Sequence, residues 1–334
     1  MLTGHRIRLL VISVSVILMM TSCGDLHSST RRGGISIEVL NSRRYSFSSP
    51  ISVTGLDGNI WVANATNNTI TEFSARTYRL IALFPKSATK ITDPSSISAF
   101  NGIVWIAGTN IIEGLVGKTG KLARMITEPG SVLENPSAIA ASTDGVWVAS
   151  SVSNDVLWFS PHTGKLIRRL SEAQYHWNHP DSLAVQSDQV WVADQYSLSV
   201  FSARTGRFIM RIAGRQYHFD HPRSISSYGS NIWVANTFGD TIDEVRSKDG
   251  ALLLNLHAPR YGFSGPRGIV ATRESVWVAN SRGDSVTEIF AGHPTQAIVV
   301  RSTYFQSPTA VFAVGTTLFV TNLVSNSMAV LRIQ

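Results

Sequence analysis

A repeat of alternating length is the feature that most limits how this chain can fold. A proline is followed eleven residues later by a bulky aromatic residue, and this pair occurs seven times, at intervals of 44 or 42 residues. Six of the eight tryptophans occupy the aromatic position. The pairs are Pro50 and Trp61, Pro94 and Trp105, Pro136 and Trp147, Pro180 and Trp191, Pro222 and Trp233, Pro266 and Trp277, and Pro308 and Phe319. Such a period indicates an array of units that pack against their neighbours.

Each unit has the pattern of four short strands. In the fourth unit these are PDSLAVQ, QVWVAD, LSVFSA and RFIMRI, and the glycine of ARTG tolerates the positive φ that a tight hairpin requires. Strands this short and this apolar need cover on both faces. The blades of a β-propeller provide that cover, because each blade lies between two others, and the tryptophan would fill the gap between adjacent blades.

The two ends of the chain favour a closed ring over an open solenoid, which needs capping repeats. The last unit has no fourth strand after SMAVLRIQ, and the segment GISIEVL precedes the first complete unit. Pairing of these segments would complete the last blade and remove exposed sheet edges. The sequence therefore predicts an all-β fold, a seven-bladed β-propeller of four-stranded blades over residues 35–334, closed by the N-terminal strand.

The repeated motifs WVANATNNTITEF, WVANTFGDTIDEV and WVANSRGDSVTEI resemble those of YVTN- and NHL-type propellers. The seven-bladed plan is also similar to that of the virginiamycin B lyase group. These resemblances extend over residues 35–334 and imply the fold, whereas propellers host enzymes and binding modules alike. The lyase group implies metal-assisted elimination by histidine and glutamate near the channel, but the histidines of this chain do not match those positions one for one.

The N-terminus resembles the signal of a bacterial lipoprotein. A positively charged start precedes an apolar run of twelve residues, which is shorter than the ~20 residues of a membrane-spanning helix. Cys23, the only cysteine, follows that run directly. The resemblance implies a signal peptide over residues 1–22, lipidation of Cys23 and a flexible tether over residues 23–34. An ordinary cleaved signal and an uncleaved anchor are the alternatives.

All three interpretations predict export, with the lipoprotein placed on the outer side of the cytoplasmic membrane or in the periplasm. Removal of the signal lowers the formal net charge from +7 to +5. This excess is too diffuse to indicate a nucleic-acid partner. Contact with the membrane is expected through the lipid anchor only.

The corner loops before the prolines carry the residues best suited to bind a ligand or to act in catalysis. Two of them, QYHWNHP and QYHFDHP, are nearly identical and 42 residues apart. In propellers of this kind, such corners and the loops between second and third strands surround one end of the central channel. An unknown protein, glycan or small molecule is expected to bind this aromatic, arginine- and histidine-rich face. The predicted ligand-binding residues are Tyr175, His176, Trp177, Tyr217, His218, Phe219, Arg223, Tyr261 and Arg267.

His179 and His221 each precede a proline that starts an inner strand, so they should approach the channel from adjacent blades. Together with Asp181 or Asp194 they could bind zinc or another divalent metal, or act as general acid and base. The alternative is that they belong to corner packing and bond to the backbone. No other cofactor is indicated, because the chain has no phosphate loop, nucleophile elbow, CxxC or HExxH motif.

Two functions remain open at this point. The first is a membrane-anchored binding module, which the absence of a recognisable catalytic set favours. The second is a metal-assisted lyase or hydrolase in the channel, with His179, His221, Asp181 and Asp194 as the catalytic candidates. Whether these four side chains converge distinguishes the two.

Overall fold

The computed structural model describes residues 11–12, 29–32, 34–127, 133–257 and 259–333. They form seven sheets arranged in a ring, which are antiparallel apart from the parallel pairing of Val11–Ile12. The inner strand of each sheet contacts the inner strand of the next. Pro308–Val314 of the last sheet contacts Pro50–Leu56 of the first, which closes the ring. The prediction of a seven-bladed β-propeller is therefore confirmed.

Within each blade, strands that follow one another in sequence are neighbours in the sheet, and they are counted here from the channel outward. The first strands are Pro50–Leu56, Ser96–Phe100, Pro136–Ala141, Ser182–Gln186, Pro222–Tyr228, Pro266–Ala271 and Pro308–Val314. The second strands are Asn59–Asn64, Ile103–Gly108, Val146–Ser150, Gln189–Asp194, Asn231–Asn236, Ser275–Asn280 and Thr317–Asn322. The third strands are Thr69–Ser74, Ile111–Val116, Asp155–Phe159, Ser197–Ser202, Thr241–Arg246, Ser285–Phe290 and Ser327–Ile333. The fourth strands are Leu80–Phe84, Leu122–Ile126, Leu166–Leu170, Phe208–Ala213, Leu252–Leu256, His293–Arg301 and, for the seventh blade, Ile35–Leu40.

The seventh blade is completed by the N-terminal strand, as predicted. Ile35–Leu40 runs antiparallel to Ser327–Ile333, with Leu40 opposite Met328. The backbone groups of the last strand are thereby paired, and the sheet edge that they would otherwise expose is covered.

The remaining elements are short. Single helical turns lie in four corners, at Ser42–Tyr45, Glu172–Tyr175, Arg215–Tyr217 and Pro259–Tyr261. Two further strands, Val11–Ile12 and Ser29–Arg32, pair with His293–Arg301 and Ile35–Leu40. Within the described ranges, no helix is long and apolar enough to cross a membrane. The rest of the predicted signal peptide, Cys23 and most of the predicted tether lie outside the described residues.

The repeated aromatic side chains fill the spaces between blades. All seven are at most 5 % exposed. Trp191 of the fourth blade, for example, packs with Ile232 and Val234 of the fifth, and Phe319 of the seventh packs with Ile60 and Val62 of the first. The same arrangement recurs at the other blade junctions. The ring is therefore held by apolar packing between second strands of neighbouring blades.

Buried carboxyl groups on the third strands add a pH dependence to this packing. Burial raises the pKa of four glutamates, namely Glu72, Glu113, Glu244 and Glu288. It raises the pKa of Asp243 from 3.8 to about 6, although hydrogen bonds from Asn255 and Asn236 and the nearby His218 oppose the shift. In each case the folded state holds the proton more tightly than the unfolded chain does.

We expect the free energy of unfolding to increase as the pH falls from about 6 towards 4. With a shift of about two pKa units at 1.36 kcal/mol each, Asp243 alone contributes about 3 kcal/mol, and this contribution is lost as the pH rises through its folded-state pKa. The measurement is denaturant unfolding followed by circular dichroism at pH 5 and pH 7, for the native chain and for Asp243→Asn. A pH dependence of opposite sign, or one that the substitution leaves unchanged, would contradict this assignment.

Candidate functional site

A cavity of about 740 Å³ occupies the centre of the ring and is lined mainly by the small and aliphatic side chains of the first strands. Among the residues that the structure describes, three charged ones line it: Asp181, Arg223 and Arg267. Each directly follows the proline of its unit, in the fourth, fifth and sixth blades. The charges are therefore confined to one sector, where the first strands begin and the corner loops surround the channel.

In three other blades, the residue directly after the proline makes a structural hydrogen bond. The hydroxyl of Ser137 donates a hydrogen bond to the Pro180 carbonyl at 2.6 Å, and that of Thr309 donates to the Pro50 carbonyl at 3.3 Å. Ser95 makes the equivalent bond to Pro136. These hydroxyls connect the beginning of one first strand to the next. Asp181, Arg223 and Arg267 replace them with side chains that make no such bond.

Burial and mutual charge set the electrostatics of this sector. Burial raises the pKa of Asp181, and the charges of Arg223, His179, His221 and Arg267 act in the opposite direction. Burial also lowers the pKa of Arg267, and the like charge of Arg223 lowers it further, against the effect of Asp181. Across the described part of the chain, no hydrogen-bond acceptor or ion-pair partner lies within reach of either guanidinium. Two arginines without a salt bridge thus lie in the same sector as one carboxylate.

The positions of the four corner histidines follow from backbone geometry. His179 and His221 have φ values of 53° and 51°, and the residue before the proline has positive φ in every blade. The equivalent residues are Ser49, Asp93, Asn135, Gly265 and Ser307. His176 and His218 are also left-handed, with φ of 53° and 54°. Because histidine, asparagine and aspartate enter this region more readily than most residues, the corner explains these histidines without a ligand.

In most units, the backbone N–H of the residue before the proline donates a hydrogen bond to a side chain of the preceding blade. Asn154 of the third blade accepts from the His179 N–H at 2.8 Å. Equivalent bonds join Asp93 to Asn68, Gly265 to Asp240, Ser307 to Asp284 and Ser49 to Asn326. The loop between the second and third strands of the fourth blade is two residues shorter than that of the fifth. There the His221 N–H donates to the Gln195 carbonyl instead, at 2.9 Å.

The imidazole of His221 is held by its neighbours rather than by the catalytic candidates. Its Nδ1 lies 2.8 Å from Asp220 Oδ1, and its Nε2 lies 2.5 Å from the amide nitrogen of Gln195. A neutral ring that donates from Nδ1 and accepts at Nε2 satisfies both contacts. Its faces lie against Phe238 and Tyr196, with ring centroids 4.2 and 5.8 Å away.

Asp194 is part of a turn. It is 2 % exposed and accepts hydrogen bonds from the Ser197 hydroxyl at 2.5 Å and the Tyr196 N–H at 2.9 Å, while Arg211 lies 3.5 Å away. Asp181 lines the cavity instead, so these two carboxylates have separate surroundings. Among the residues that the structure describes, no three His, Cys, Asp or Glu side chains are grouped so as to hold a metal ion.

Most of the predicted aromatic face is a packing layer. Trp177, Phe219 and Tyr261 are at most 7 % exposed and belong to the apolar clusters between blades. Tyr175 stacks on Trp177 and Tyr217 stacks on Phe219, and both are half-buried. Of the nine predicted ligand-binding residues, the other four are accessible: His176 and His218 on the corners, and Arg223 and Arg267 in the cavity.

Two exposed aromatic residues near this sector are absent from the sequence-based prediction. Tyr196 and Phe238 are 53 % and 52 % exposed and lie on the loops between second and third strands, on either side of His221. Alignment of the repeats could have found Phe238, because its place is taken by Thr66 in the first blade and by Val152 in the third. We call Asp181, Tyr196, Arg223, Phe238 and Arg267 the charged mouth.

Comparison with known proteins identifies the fold. A streptogramin B lyase structure is 15 % identical, with a TM-score of 0.73 over 90 % of this chain and 98 % of the other. A catalytically inactive virginiamycin B lyase from Staphylococcus aureus, with quinupristin, is 14 % identical, with a TM-score of 0.74 over 90 % of this chain and all of the other. A β-propeller domain from Myceliophteria thermophila is 10 % identical, with a TM-score of 0.72 over 92 % of this chain and all of that domain.

Similarity at this level of identity shows a shared propeller fold. No family model matches the sequence, and no curated protein matches it. The resemblance to the virginiamycin B lyase group is therefore supported in three dimensions, whereas that to YVTN and NHL repeats stays a resemblance of motifs.

We expect Asp194 and Asp181 to differ in their effect on stability. Asp194→Ala leaves a buried hydroxyl and a backbone N–H without their acceptor, which costs about 1–3 kcal/mol. Asp181→Asn, in the same blade, removes a carboxylate that makes no hydrogen bond through its side chain in the described structure, so the free energy of unfolding should change by less than about 0.5 kcal/mol. Denaturant unfolding of both variants checks this, and equal losses would contradict the structural role of Asp194.

Proposed function

We propose that the chain is an exported, lipid-anchored binding module that holds a small-molecule ligand in the charged mouth. The observation that carries this proposal is the replacement of bonding hydroxyls by Arg223 and Arg267, whose guanidinium groups have no partner within the described residues. Arg223 is exposed, whereas Arg267 is partly buried, and a partly buried charge without a partner is unfavourable for folding alone. Binding of a ligand accounts for its presence.

The size and lining of the cavity suit a small molecule. A volume of about 740 Å³ lies within the range of ~300–1,000 Å³ that is typical of ligand sites. Its wall combines aliphatic side chains with serine and threonine hydroxyls of the first strands, and its charged groups, which can orient a ligand, lie at one end. Burial of Trp177, Phe219 and Tyr261 leaves the corners little aromatic surface for a glycan or protein partner.

The metal-assisted lyase or hydrolase is the weaker alternative. It needs His179, His221, Asp181 and Asp194 to act together, yet Asp194 serves a turn and His221 is bonded to Asp220 and Gln195. The likeness to solved lyases supports it at the level of fold only.

Tyr196 and Phe238 provide a test of the proposed site. A flat neutral probe, 2-naphthamide, should bind saturably to the full chain in equilibrium dialysis against matched detergent. The double substitution Tyr196→Ala/Phe238→Ala should weaken binding roughly tenfold, because it removes the exposed aromatic surface. Tyr228→Ala is the control, since Tyr228 is 45 % exposed but ends the first strand of the fifth blade, away from the corners. Binding that does not depend on Tyr196 and Phe238 would contradict this location.

The lipid anchor is part of the proposal and rests on the apolar run before Cys23. In a bacterial host, the native chain should incorporate labelled palmitate and partition into the detergent phase, because two acyl chains bind a membrane stably. Cys23→Ser should abolish both properties while leaving the propeller folded. An unlabelled native chain in the aqueous phase would argue for an ordinary signal peptide instead.

A further inference from the structure

We infer that the ligand of the charged mouth carries one negatively charged oxyanion group, held between Arg223 and Arg267, joined to an apolar group that lies against Tyr196 and Phe238. This inference rests on the proposed function and adds the chemical class of the ligand. The oxyanion could be a carboxylate, a sulfonate or a singly charged phosphate ester, which share the same recognition chemistry.

The sign of the ligand charge follows from the composition of the lining. Two arginines and one aspartate are the charged residues that the described part of the chain places on the cavity wall, so the sector carries a formal charge of +1 when all three are ionised. Arg223 and Arg267 occupy the same register in the contacting first strands of adjacent blades, and they line the cavity together with Asp181. An incoming anion relieves the repulsion between the guanidiniums, whereas a cation would increase it.

The kind of anion follows from the donors. A guanidinium presents several N–H groups in a planar fork that matches two oxygens of a carboxylate or phosphate. Arg223 and Arg267 come from adjacent blades and occupy equivalent positions, one residue after successive repeat prolines. Both are free of intramolecular hydrogen bonds across the described residues, so their donors are available to a ligand.

Asp181 limits the charge of the ligand. It lies in the same sector and interacts with both arginines and with His179 and His221. Its carboxylate neutralises one of the two cations, which leaves one positive charge for the ligand to balance. A doubly charged anion would also be repelled by Asp181.

The apolar part follows from the aromatic side chains beside this sector. Tyr196 and Phe238 flank His221, which lies two residues before Arg223 in the chain. Exposed aromatic side chains at the entrance of a site offer contact area at little cost in side-chain entropy. A ligand anchored at the arginines would therefore extend towards these rings.

The test compares two isosteric probes, 2-naphthoate and the neutral 2-naphthamide, by equilibrium dialysis with the full chain. Naphthoate should bind at least tenfold more tightly. Arg223→Gln and Arg267→Gln should each weaken naphthoate binding roughly tenfold and leave naphthamide binding within twofold. Asp181→Asn should strengthen naphthoate binding, because it removes the competing negative charge. Arg273→Gln is the matched control, since Arg273 is exposed on the loop between the first and second strands of the sixth blade, away from the corners.

The outcomes separate the inference from the proposed function. If both probes depend on Tyr196 and Phe238 but bind equally well and are insensitive to the arginines, the anion assignment is wrong and the binding site stands. If Asp181→Asn weakens naphthoate or Arg267→Gln strengthens it, the site takes a cation and the inference is overturned. If neither probe responds to any substitution in the charged mouth, both proposals fail.

Competition identifies the oxyanion. Naphthalene-2-sulfonate should displace naphthoate at similar concentration, and inorganic phosphate should not, because it lacks the apolar group. Doubly charged 2-naphthyl phosphate should compete less well than the sulfonate. Tighter binding of the dianion would overturn the single-charge part of the inference. Circular dichroism of each variant confirms that the comparison is made between folded proteins.

Discussion

Each blade of the ring buries one large aromatic side chain against the second strand of the next blade, and the circular arrangement depends on this contact. A fully buried tryptophan brings ~150–250 Å² of surface out of water, more than any other side chain of this core. Because the contact is made from blade to blade, it has no end until the seventh blade meets the first. Phe319 makes that last contact, and the strand Ile35–Leu40 pairs with the same blade. Closure therefore combines apolar packing near the middle of the blade with hydrogen bonding at its outer edge.

The fold could be predicted because this contact requires the same residue type at the same interval. Trp191 and its equivalents have one packing environment, which only a large flat side chain fills, so the requirement is visible as a repeated letter. The left-handed backbone before each proline is just as regular in space, yet serine, aspartate, asparagine, histidine and glycine all meet it. Because five residue types adopt this positive φ, the conformation cannot be recognised from a single sequence. His179 and His221 therefore attracted a chemical interpretation, although their backbone conformation is common to all seven corners.

The site was harder to predict for a related reason. Asp194 is an acid at a position where four other blades have asparagine. Its carboxylate accepts the hydrogen bonds that hold the turn, so this unusual residue has a common structural role. Trp177 and Phe219 are prominent in the sequence and buried in the structure. Tyr196 and Phe238, by contrast, lie on the loops between second and third strands, at a repeat position that holds Thr66 in the first blade and Val152 in the third, so the fold does not require an aromatic side chain there. What periodicity did expose was the run of charges at Asp181, Arg223 and Arg267, because they occupy a fixed register in the first strand.

The packing of the first strands explains how charged residues can replace hydroxyl residues at the position after the proline. The innermost strand of a propeller has no further strand inside it, so its backbone groups need partners from adjacent blades. Serine hydroxyls supply several of them: the N–H groups of Ile97, Ile139, Ile225 and Ile269 donate to Ser52, Ser96, Ser182 and Ser224 at 3.2–3.3 Å. This second row of bonds lies one residue further along the strand than the charges. It is present at the junctions from the fourth to the fifth and from the fifth to the sixth blade, where Asp181 and Arg223 replace the hydroxyl residue that follows the proline in other blades. The bonds to these serines thus keep neighbouring first strands connected. The position directly after the proline can therefore hold a charged residue without loss of that connection.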